Sequence, residues 1–145
     1  MFRDLKTLIV VLFSFLSIAC YHKLERKNAE QSVKDYLSIK HDGYLPRSFG
    51  EFFEQNDTEE IQAIIETDRE IMYSLVHTYL VGENEIKDEY FHLDKDMKVL
   101  GHLSKQQMMD LVMGKLFKSD QFMHILDTMG VDTSNVQKQY EESNK

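Results

Sequence analysis

Residues 71–102 read IMYSLVHTYLVGENEIKDEYFHLDKDMKVLGH, and this stretch decides the fold. Ile71 to Val81 is rich in β-branched and aromatic residues and holds no glycine or proline, which is the composition of a strand. Gly82-Glu83-Asn84-Glu85 is a turn, and Ile86 to Leu93 reads as the returning strand. Asp94-Lys95-Asp96-Met97 turns the chain again into a third strand, Lys98 to His102. Consecutive strands joined by such short turns form an antiparallel meander. Pairing Val81 with Ile86 sets Val76 opposite Phe91 and keeps Leu80 on the same face, which is expected to meet a helix. The other face then carries Tyr73, His77, Tyr79, Tyr90 and His92, a more polar set.

Downstream, the period changes from two to about four. Ser104-Lys105-Gln106-Gln107 matches a capping box, and Met108, Leu111, Val112 and Leu116 follow on one helical face. Ser119 is placed to cap a second short helix holding Phe122, Met123, Ile125, Leu126 and Met129, closed by Gly130. Residues 132–145 are polar and are expected to be a flexible tail.

Upstream, Asn56 to Glu60 looks like a helix start with carboxylates in its first turn, and Ile61, Ile64 and Ile65 supply a buried side. Before it, Pro46 fixes φ and pushes Leu45 towards extended geometry. Tyr44 to Gly50 is therefore expected to be a packed connector, with Tyr44 and Phe49 plugging the core and Glu51-Phe52-Phe53 a short extra strand. From Tyr21 to Lys40 the chain is helix-prone, with Ala29, Val33, Tyr36 and Leu37 forming one apolar stripe. Gly43 suits the left-handed stop after it. The expected fold is α+β: an N-terminal helix packed on a three- or four-stranded antiparallel β-meander, followed by a C-terminal helical pair.

The first twenty residues, MFRDLKTLIVVLFSFLSIAC, have another character. Arg3 and Lys6 precede an apolar run from Thr7 to Ala19, whose helix would rise roughly 20 Å against the ~30 Å hydrocarbon core. A basic start, a short apolar stretch and small residues at its end are what an export signal needs. The run ends in Ser17-Ile18-Ala19-Cys20, and Cys20 is the single cysteine of the chain. No internal disulfide can form, so the thiol is free, paired between chains or modified.

Ser17-Ile18-Ala19-Cys20 resembles the lipobox of bacterial lipoproteins, in which a small residue precedes an obligatory cysteine. Ser17 departs from it, since leucine is commonest there. The resemblance implies diacylglycerol on the Cys20 thiol, cleavage before it, and a membrane anchor of the palmitate kind. Two acyl chains hold a protein stably where one does not. An uncleaved signal anchor and an ordinary cleaved signal peptide are the alternatives. The division expected is 1–19 lipoprotein-type signal peptide, 20–103 α+β domain, 104–131 helical pair and 132–145 tail.

Across residues 25–102 the chain also resembles small envelope lipoproteins of Bacteroidota-type bacteria. These run helix, a "DSYxPxxFG"-like connector, then strands with "HxxR" and "FxLDxDxxV". The matching stretches are Asp42 to Gly50, Val76-His77-Thr78-Tyr79, and Phe91 to Val99. Leu80 stands where the family often has arginine, and the turn glycine is displaced to Gly82. The resemblance implies an α+β envelope lipoprotein and transfers no catalytic residue.

A formal charge of −8, becoming −9 once Arg3, Asp4 and Lys6 leave with a signal peptide, repels nucleic acid and anionic lipid. There is no G-x-S-x-G elbow, P-loop or H-E-x-x-H motif, and no carboxylate pair stands out, so no catalytic residue and no cofactor are assigned. His77 and His92 are read as sharing a sheet face, but no third histidine, cysteine or carboxylate has ligand spacing, so no metal is assigned. Asp94-Lys95-Asp96 lacks the glycine and distal glutamate of a calcium loop and reads as Asx-type turn bonding. Met109 and Met113 lie beside the main stripe of their helix and mark where an adaptable interaction surface would be exposed. The function expected is a non-catalytic, lipid-anchored envelope protein that binds a protein or small ligand. A membrane-anchored accessory or immunity factor, neutralising an effector with an acidic face, is the second reading, and a small envelope hydrolase the third.

Overall fold

The computed structural model of the chain describes residues 22–143. The signal peptide expected over 1–19 and the lipid site expected at Cys20 lie outside the described residues. The chain divides into two compact units, the first ending at Ser104 and the second beginning at Lys105. The fold is α+β.

The first unit is a helix on a sheet. Helix α1, residues 22–40, buries Ala29, Val33 and Leu37, each four residues from the last. Bonds one turn apart, Arg26 to Glu30 at 2.9 Å and Gln31 to Asp35 at 2.8 Å, support its outer surface. Gly43, at φ +79°, turns the chain into β1 (Leu45–Glu54). The sheet continues through α2 (Glu59–Ile64), β2 (Tyr73–Val81), β3 (Glu85–Leu93) and β4 (Val99–Ser104). Its order is β1-β2-β3-β4, antiparallel throughout.

Tyr44–Gly50 departs from expectation. It is a connector only at Tyr44; from Leu45 it is strand, with Pro46 opposite Tyr79. Proline is tolerated because β1 is an edge strand, where a missing N–H breaks no inner ladder. Two register shifts relieve the rest, one between Pro46 and Ser48 and one between Phe49 and Phe52. Arg26 of α1 reaches the second, where its Nη2 donates to the Gly50 carbonyl at 3.0 Å.

The register of β2 and β3 is also corrected. Val81 pairs with Glu85, Leu80 with Ile86 and Val76 with Tyr90. The loop therefore has three residues, 82–84, begun by Gly82 at φ +65°. A one-residue slip turns every side chain of one strand to the other face. Phe91 thus joins Leu75, His77 and Tyr79, and α1 covers that face rather than the Val76 and Leu80 face. The core beneath α1 is Leu75, Tyr79, Phe91, Leu93 and Met97, with Tyr36, Phe49, Phe52 and Val99 at its margin.

On the opposite face the end of α2 meets the sheet where Ile65 packs at Gly101. Ile61 is buried, whereas Ile64 is 45% exposed and is not the core residue expected. Between β3 and β4, Asp94 Oδ1 accepts from the amides of Asp96 and Lys98 at 3.0 and 2.9 Å, the Asx turn foreseen. Met97 completes that turn at φ +60° and points into the core.

The second unit holds α3 (Lys105–Lys118), α4 (Asp120–Thr128) and α5 (Thr133–Ser143). Ser119 caps α4 as expected, its hydroxyl accepting from the Phe122 amide, and Phe117 meets Phe122 edge-on at 6.0 Å. The segment expected to be a flexible tail is helical over Thr133–Ser143, with Lys138 and Glu142 paired at 4.0 Å. Neither α3 nor α4 buries a residue fully.

Candidate functional site

The register slip gathers the titratable side chains beneath α1. His77 has no exposed surface. Its Nδ1 lies 2.8 Å from the Ser48 carbonyl, which only accepts, so Nδ1 carries the proton. Nε2 then accepts from the Tyr44 hydroxyl at 2.8 Å. Phe49 stacks on the ring with centroids 3.9 Å apart, and Tyr79 lies on its other flank at 5.3 Å. Burial lowers the pKa of His77 and pushes that of Tyr44 up to about 12.

A second chain of bonds runs across the same face. The Tyr79 hydroxyl donates to Glu89 Oε2 at 2.6 Å, and His102 Nδ1 lies 2.9 Å from that oxygen. Burial alone would raise the Glu89 pKa, but the bonds from His102 and Tyr79 outweigh it and hold the carboxyl low. Burial and the Glu89 carboxylate push the Tyr79 hydroxyl up. Each of these groups is another's partner, and none lines the hollows described below. The cluster orders the core, with the side chains of His102 and Glu89 partly exposed at its margin.

His92 sits on the other face from His77, so the two do not share a surface. Its Nδ1 meets the Ser74 hydroxyl at 2.8 Å, and Ser74 donates to Gln55 Oε1 at 2.9 Å. Nε2 is buried and has no hydrogen-bond partner among the described residues. Burial, with a smaller contribution from the charge of His102, lowers the His92 pKa to about 4. The lone nitrogen was not legible in the sequence, because its surroundings come from four separate segments.

Among the described residues, no cluster of three or more His, Cys, Asp or Glu could hold a metal ion. Open hollows lie among the described residues of the first unit, and two of them are lined by charged side chains. One, of about 270 Å³, is lined by Arg69, Glu70, Met72, Asp94, Lys95 and Asp96. In it Arg69 Nη2 neutralises the buried Asp94 Oδ2 at 2.9 Å, without the alignment of a hydrogen bond. The other, of about 310 Å³, lies at Ser32, Asp35, Tyr36, Asp96, Lys98 and Val99.

In the second unit, Met109 is 51% exposed and Met113 half-buried, one turn apart on α3. The stripe read as core is itself open, with Val112 and Leu116 exposed on α3, Ile125 on α4 and Met129 at the C-cap of α4. The apolar surface is therefore broader than the two methionines singled out. No family model, curated protein or solved structure matches this chain. No described helix is long and apolar enough to cross a membrane.

Proposed function

We propose that this chain is a non-catalytic protein of the bacterial cell envelope, anchored by a lipid on Cys20, that binds a protein partner through α3 and α4. The carrying observation is the sequence Ser17-Ile18-Ala19-Cys20 at the end of an apolar run too short to span a bilayer. Exposed Met109, Val112 and Leu116 support the binding role, since their spacing of three and four puts them on one face of α3, and Ile125 and Met129, four apart, add exposed apolar side chains. The mutual bonding of the buried titratable groups supports the absence of catalysis.

Mass spectrometry of the native protein tests the anchor. The expected mature chain starts at an acylated Cys20, and Cys20→Ser abolishes palmitate labelling. An intact Met1 to Ala19 overturns the anchor. Crosslinking in intact envelopes tests the binding surface: Met109→Glu and Met113→Glu remove the crosslinked species while leaving the chain folded. If both variants unfold, the methionines are core and the binding role fails.

The immunity-factor reading is favoured by one observation. Between Glu51 and Glu70 eight carboxylates stand against a single arginine, Arg69. Such a segment fits a basic effector surface. Charge-neutral variants within 51–70 that keep a partner bound argue against it.

A further inference from the structure

His92 is buried on the face that α2 partly covers. Its partner on β4 is Gly101, so the two residues aim their β-positions to the same side. A Cβ added at Gly101 would stand 2.8 Å from the Cβ of Ile65, the residue that ends α2. The end of α2 therefore rests on the sheet beside the imidazole.

On the face that carries the ring, Tyr90 and Leu103 form the neighbouring pair of β3 and β4. From β2 comes the Ser74 hydroxyl on Nδ1, backed by Gln55 beyond the end of β1. From β4 comes Gly101, with no side chain, and from α2 comes Ile65 on Gly101. The charge that acts on the ring is His102, on the opposite side of β4. A neutral ring tolerates one unbonded nitrogen. An imidazolium has two N–H donors, and among the described residues no group accepts from the second, which is buried. Proton uptake therefore requires water to reach Nε2.

Water has two routes. Separating strands would break ladders on both sides of His92, to β2 and to β4. Lifting α2 costs less. It spans six residues, buries one side chain, Ile61, and lacks a side-chain cap at Thr58. Asp57 and Glu66, at φ +59° and +54°, bracket it in the left-handed region that L-residues resist. A short element with few buried contacts and strained ends is the first to open.

We propose that α2 is an acid-released flap: protonation of His92 at Nε2 frees Glu59–Ile64 from the sheet and admits water to the strand face beneath it.

Hydrogen exchange on the full chain tests this. With a ring that takes its proton at 6.5 when exposed and at about 4 when buried, the opening of α2 rises roughly 70-fold from pH 7.5 to 4.5. The protection of the amides at 61–65, corrected for intrinsic chemistry, falls by that factor while Leu75 and Phe91 stay protected. His92→Leu flattens the response. In the wild-type chain, NMR resonances of the His92 ring and of the Ile61 amide shift with one midpoint, a reading that needs no variant. Constant protection at 61–65 overturns the proposal. So does protection lost only together with that of β2 and β3, or a ring that titrates while Ile61 does not respond.

Discussion

The Tyr44 hydroxyl donates to Nε2 of His77 across 2.8 Å, and the Nδ1 of that ring donates to the Ser48 carbonyl at 2.8 Å. One imidazole thereby ties the corner after α1 to both β1 and β2. With both nitrogens bonded, the ring packs as an aromatic plate between Phe49 and Tyr79. Tyr44→Phe keeps the ring stack and leaves Nε2 without a donor, at a cost of about 1–3 kcal/mol. Urea unfolding should show a lower midpoint with an unchanged slope. Because the Tyr44 hydroxyl is pushed up to about 12, the loss should be the same at pH 7 and pH 9.

Acid should destabilise the first unit, and the sign follows from His92. Its pKa is about 4 when folded and 6.5 when exposed, so between these values the unfolded chain holds more protons. Stability is then full above pH 6.5 and falls as the pH drops towards 4. The span corresponds to about 3 kcal/mol. Lifting α2 lets the folded chain take the same proton, so that figure is a ceiling. Glu89, held below its ordinary value, acts in the same direction, since its contribution disappears as the pH falls through its folded pKa. Urea titrations at pH 7 and pH 4.5 check this, and His92→Leu should flatten the slope. A chain equally stable at both values would contradict the burial assigned to His92.

The existence of the strands and the α1 stripe was legible, because composition and period carry both. The partner of each residue was not. Counting the 82–84 loop as one residue longer moved Phe91 to the wrong face, and reading histidine and tyrosine as polar hid the true core face. His77 and Tyr79 are buried because their polar atoms find partners in Ser48, Tyr44 and Glu89, contacts that no local pattern announces. Pro46 read as a connector because proline breaks inner strands, yet an edge strand tolerates it. Helix α5 was missed because its sequence lacks an apolar stripe. His92 and Gly101 gained their meaning only when Ile65, far along the chain, came down on the same face.

Gly101 itself carries a sharp test. A methyl group there would sit 2.8 Å from Ile65 Cβ, closer than packed carbons approach. Gly101→Ala should cost about 1–3 kcal/mol, as overpacking does. Ile65→Gly removes the obstructing Cβ together with its branches, so the double variant should lose less than the two singles together. A double-mutant cycle by urea unfolding reads the coupling. Strict additivity would mean that α2 does not rest on the sheet at this point.

Two residues of α1, two positions apart, should behave as opposites. Leu37 has no exposed surface and lies in the cluster with Leu75, Tyr79 and Phe91, whereas Ile39 is 87% exposed. Leu37→Ala removes buried methyl groups and leaves a cavity between helix and sheet, costing about 2–5 kcal/mol. Ile39→Ala removes the same kind of surface from water-facing helix and should change stability by less than about 0.5 kcal/mol. The contrast depends on which side of α1 meets the sheet, so it checks the helix orientation without reference to the register of β2 and β3. Equal losses, measured by thermal or urea unfolding, would mean that α1 presents another face to the strands.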